Sequence, residues 1–184
     1  MAGTGMTPQL YGHETQKMVN SWRSAYFRQA HADYEMFLPL ENTRGISLCH
    51  RLHYLQMMTE KLAKGFNTPP TAKKEHAHTH AAFLKFLKTL KLQPEFRQVR
   101  GNMSNDQFDS YLKGLYALAD RVQNLAPDLA KEKPNPEYPW RMPTGTIVAP
   151  AEFGFPDLDL NAKDPHLIKL LELINTCFKI ADRE

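Results

Sequence analysis

The chain has 184 residues, a net charge of +3, and a composition that is 42% hydrophobic and 23% charged. That is the balance of one folded domain with a core of its own, and it excludes a disordered polyanion or polycation. No apolar run reaches the length of a membrane span, and the first twenty residues lack the basic-then-apolar order of a signal peptide. With Cys49 and Cys177 both inside helical apolar patterns, the expectation is buried free thiols and a cytoplasmic protein.

Residues 1–12 read as a flexible lead-in and 13–184 as a single helical domain. A first long helix is expected from His13 to Leu38, with Met18, Trp22, Ala25, Gln29, Ala32 and Met36 as its apolar stripe and Pro39 as its end. Asn42 or Thr43 is placed to cap the next helix. That second helix, Arg44 to Phe66, organises the rest: Leu48, Leu52, Leu55, Met58, Leu62 and Phe66 share one face, while Arg51, Glu60, Lys61 and Lys64 fall largely elsewhere. Gly65 weakens its last turn, and NTPP breaks it.

A short third helix is expected from about Thr79, with Phe83, Phe86, Leu87 and Leu90 inward and Lys85, Lys88 and Lys91 outward. Ser104 or Asn105 caps a fourth, which carries Phe108, Leu112, Leu115, Ala119 and Val122. Between Pro127 and Pro165 stand eight of the thirteen prolines, a density that forbids a long helix. Tyr138, Trp140, Phe153 and Phe155 argue that this stretch is ordered, because a disordered linker has few aromatics to bury. TIVAP is a small extended candidate. Asp164-Pro165 then opens a closing helix with Leu167, Leu170, Ile174, Cys177 and Ala181 in register. The fold class is therefore all-α: an up-and-down bundle of about five helices with a long Pro-rich, aromatic loop before the last.

Several constellations bear on chemistry. His76, His78 and His80 alternate, and His50 and His53 share a helix face with Asp33 and Glu35 as possible facing carboxylates, but neither set has the convergent ligands of a metal centre. No metal and no cofactor is expected. Lys85, Lys88, Arg97 and Arg100 form a basic stripe around Phe96 that suits phosphates or the solvated face of a helix equally well. The stretch PEYPW, with Tyr138, Trp140 and Arg141, is either a recognition surface or an anchor for the long loop.

LCHRLHYLQMMTEKLAKGF, with Cys49, His50, Gln56, Glu60, Lys61 and Lys64, resembles the second helix of HEPN-domain proteins. The succession of a His80-led third helix, a fourth helix, NPEYPW and a closing helix agrees with that family in order, over roughly residues 18–182. The resemblance implies a helical homodimer that binds RNA or a nucleotide. It also implies a metal-independent ribonuclease of a toxin-antitoxin or antiphage defence system, with a protein partner such as an antitoxin. The alternative is a catalytically inactive dimer acting as an interaction or nucleotide-binding module. Active HEPN members place an Arg and, a few residues on, a His on a late helix. Here no His follows Arg141 at that spacing, and the comparable pair is Arg44 with His50, on the second helix. In such a pair the His takes the 2′-hydroxyl proton and the Arg stabilises the phosphorane.

Overall fold

The computed structural model describes residues 21–73, 80–93, 96, 101–131, 133–158 and 163–183. Met18, His76, His78, Arg97 and Arg100, and the expected helical start at His13, lie outside them. The described helices are α1 (Trp22–Asn42), α2 (Leu48–Asn67), α3 (Phe83–Thr89), α4 (Asn105–Gln123), α5 (Pro127–Ala130) and α6 (Pro165–Ala181). Strands β1 (Trp140–Arg141) and β2 (Ile147–Val148) form a two-residue antiparallel ladder, pairing Trp140 with Val148 and Arg141 with Ile147. The all-α fold expected from the periodicity is the fold observed, and the helix beyond the expected five is the single turn α5.

α1 and α2 pack antiparallel, as their short connection requires. Arg23 reaches Thr68, Phe27 meets Phe66 and Asp33 meets Lys61, so one helix descends as the other rises. α2 also packs on α3 and α4, α4 on α6, and α6 returns to α1, where Phe178 touches His31 and Tyr34. α3 braces the outside, its Phe86 stacked on Phe66 at 5.1 Å. The expected inward residues of α2 and α4 are buried, except Leu48, which is half-buried.

Helix termini follow the sequence signals in two places. Ser104 and Gln107 form a reciprocal capping box at α4. Asp164 caps α6, with Pro165 in its first turn. Elsewhere the boundaries move. α1 runs on through Pro39 to Asn42, and Ser47, rather than Asn42 or Thr43, is the N-cap of α2. Arg44 therefore sits in the α1–α2 turn and not on the helix, and Gly45 supplies the positive φ of +82° that this turn needs.

Two faces differ from expectation. The expected α1 stripe points outward: Trp22 and Met36 are 42% and 48% exposed. The core face is Phe27, Ala30 and Phe37, with Arg23 and Asp33 buried beside them. On α2, Glu60 and Lys64 are buried rather than solvated. Both corrections have one cause. Each buried charge has a partner across the packing: Arg23 Nη1 donates to the Thr68 carbonyl at 3.2 Å and lies over the Phe27 and Phe66 rings. Lys61 Nζ reaches Asp33 Oδ2 at 2.7 Å, and Lys64 Nζ reaches Glu60 Oε1 at 2.7 Å.

Candidate functional site at the amino end of α2

Ser47 begins α2 without capping it. Its hydroxyl instead donates to the Ala151 carbonyl at 3.1 Å, tying the helix start to the Pro-rich excursion, and no side-chain cap covers the leading N–H groups of α2. One turn on, His53 Nδ1 lies 3.5 Å from Glu137 Oε1. These two links fasten the excursion across the amino end of α2.

Within the excursion, buried Asn135 organises the chain by accepting hydrogen bonds from the Glu137 and Tyr138 N–H groups at 3.1 and 2.8 Å. This Asx turn leaves Tyr138 60% exposed. Trp140 points the other way. It is buried, edge-on to Phe153 at 5.0 Å and near Phe155 at 6.2 Å, with its indole N–H on the Met142 sulfur. Trp140 thus anchors the excursion and presents no face to a ligand, a correction to its place among the candidate binding residues. Arg141 is exposed, and its guanidinium donates to the Gly145 carbonyl at 3.0 Å across the hairpin.

Arg44 and His50 are both exposed. Among the described residues no hydrogen bond or ion pair joins them. Arg44 precedes Ser47 by three residues and His50 precedes His53 by three, so both flank the links that hold the excursion. The structure thereby brings Arg44, His50, Tyr138 and Arg141 to one end of the bundle, although the sequence presents them as two unrelated groups. Cys49, next to His50, is buried, and burial pushes its thiol above the ordinary range, which makes it a poor nucleophile. Cys177 is buried and shifted the same way.

The basic stripe lies elsewhere. Lys85 and Lys88 are exposed on α3, with Lys88 Nζ 5.9 Å from the centre of the Tyr116 ring. Lys91 and Lys113 are both held by Asp109, whose carboxyl those two ammonium groups keep below its usual value. Lys91 also borders an open pocket of about 320 Å³ with Leu92, Phe96, Phe108, Asp106 and Asp109, whose carboxylates do not favour phosphate.

A polar cluster that sequence spacing does not reveal lies on the opposite, buried side of α2. Glu60 accepts from Gln56 Nε2 at 2.7 Å, pairs with Lys64, and meets His80 Nδ1 at 2.7 Å. His80 Nε2 in turn lies 3.0 Å from Asp128 on α5. Burial alone would raise the Glu60 carboxyl, yet the hydrogen bonds from Lys64, His80 and Gln56 with the Lys64 charge hold it below its ordinary value. The cluster binds α2, the entry to α3 and α5 together. His80 is therefore engaged by carboxylates, and Asp33 by Lys61 and Gln29. Among the described residues no group of three potential ligands could hold a metal ion. Likewise, no described helix is long and apolar enough to cross a membrane.

No protein-family model, curated protein or solved structure matches the chain.

Proposed function

We propose that this protein binds single-stranded RNA at the amino end of α2, with Arg44, His50 and Arg141 contacting phosphates and Tyr138 stacking on a base. The observation that carries the reading is the pair of links, Ser47 to Ala151 and His53 to Glu137, which set an exposed tyrosine and arginine beside the Arg44 turn. Cations next to an exposed aromatic ring suit a flexible polyanion with accessible bases. The uncapped start of α2 adds partial positive charge to the same end. The resemblance of LCHRLHYLQMMTEKLAKGF to HEPN proteins supports the same ligand class.

Fluorescence anisotropy with a labelled single-stranded RNA tests this. Arg44→Glu with Arg141→Glu should weaken binding roughly tenfold and flatten its salt dependence, and Tyr138→Ala should cost about 1–3 kcal/mol. Lys85→Glu with Lys88→Glu should leave affinity nearly unchanged. Absence of binding at low salt, or binding lost through the α3 lysines instead, would overturn the proposal. Analysing the same RNA on a gel after incubation in EDTA separates binding from cleavage. Cutting that disappears in His50→Ala would add the ribonuclease activity that the resemblance implies.

A further inference from the structure

α1 carries two apolar faces, and the bundle uses one. The other repeats with a period of seven: Trp22, Gln29 and Met36 in one row, Ala25, Ala32 and Pro39 in the adjacent row. This is the alternation of a coiled-coil seam, and it faces solvent while Phe27, Ala30 and Phe37 on the far side fill the core. The seam spans eighteen residues, about 27 Å of helix.

We propose that this face pairs with the same face of a second copy of the chain, the two α1 helices running antiparallel about a two-fold axis between Ala30 and His31. Three features select this occupant and this direction. In an antiparallel seam the two rows interleave, so Ala25 meets Met36 of the partner subunit and Gln29 meets Ala32 of the partner subunit, a small residue against a larger one in each layer. A parallel pair would set Trp22 on Trp22 and Ala25 on Ala25, giving layers of unequal thickness. Charge then completes the match. Arg28 and Glu35 are exposed on one flank of the seam. The two-fold places Arg28 opposite Glu35 of the partner subunit, and Glu35 opposite Arg28 of the partner subunit. Within the chain Arg28 engages the Ser24 hydroxyl, and Glu35 stands 3.6 Å from His31. Both are exposed side chains free to swing across an interface. A single helix pair buries an area at the small end for stable association, so the dimer dissociates in the micromolar range.

The RNA-binding reading is independent of this pairing. Analytical ultracentrifugation of the full chain tests it, with circular dichroism to verify that each variant stays helical. The wild type should show a reversible monomer–dimer equilibrium. Arg28→Glu and Glu35→Arg should each weaken it at least roughly tenfold, and the double exchange should restore it to within about threefold of wild type. Ala32→Glu should abolish it. A monomeric wild type would overturn the proposal, as would a dimer indifferent to the single exchanges or a double exchange that stays monomeric.

Discussion

Gly65 sits in the last turn of α2, where the sequence suggests only a weakened helix end, but in the fold it is a packing position. A Cβ built on Gly65 would lie 2.3 Å from Cε1 and 2.5 Å from Cδ1 of Phe27, so the ring fills the space that a side chain would take. The ring cannot retreat easily, because it is edge-on to Phe66 at 4.8 Å and covered by the Arg23 guanidinium at 5.4 Å. Reaching an ordinary contact requires a shift of about 1.1 Å. Gly65→Ala gains about 1 kcal/mol of helix propensity and loses about 2–3 kcal/mol to overpacking. The net expectation is destabilisation by about 1–2 kcal/mol, read as a lower urea midpoint at unchanged slope. In a Phe27→Ala background, itself costing about 3–5 kcal/mol, the obstruction is gone and the same substitution should stabilise by up to about 1 kcal/mol. The change of sign across the double-mutant cycle is the diagnostic result. If Gly65→Ala were neutral or stabilising with Phe27 present, the close approach of α1 and α2 at this point would be refuted.

Two further predictions concern buried polarity and capping. Because the folded Glu60 carboxyl lies below its ordinary value of 4.5, its contribution is fully present above that value and is lost as pH falls through the lower folded value. Urea titrations should show an acid-dependent loss of stability that Glu60→Gln reduces. At neutral pH that variant should itself be less stable by about 3 kcal/mol, since Lys64 stays buried without its partner. Removing the capping box with Ser104→Ala should cost about 1 kcal/mol, and Ser104→Thr should recover most of it.

The legible part of this fold is the part governed by unbroken periodicity. The inward residues of α2, α4 and α6 are regular at helical spacing, and the caps at Ser104 and Asp164 are local signals that need no tertiary information. α1 defeats the same reasoning because it has two candidate stripes. The true core face is interrupted by Arg23 and Asp33, which only the Thr68 carbonyl and the Lys61 ammonium make tolerable inside, whereas the outward seam has no interior charge to mark it as exposed. Glu60 and Lys64 are misread for a related reason. Their burial depends on each other and on His80, twenty residues beyond Glu60, which no local window connects. At the amino end of α2, residue types in the sequence suggest Arg44, His50, Tyr138 and Arg141 separately. What joins them is the Ser47 and His53 contacts with residues more than eighty positions away, and those belong to the fold alone.

Hydrogen–deuterium exchange of the protein with and without single-stranded RNA tests the central claim most directly, because it locates the ligand without altering a residue. The account predicts slower exchange in peptides covering 44–53 and 135–141, with α3 unchanged. Protection confined to α3 around Lys85 and Lys88, with the amino end of α2 exchanging as before, would contradict it.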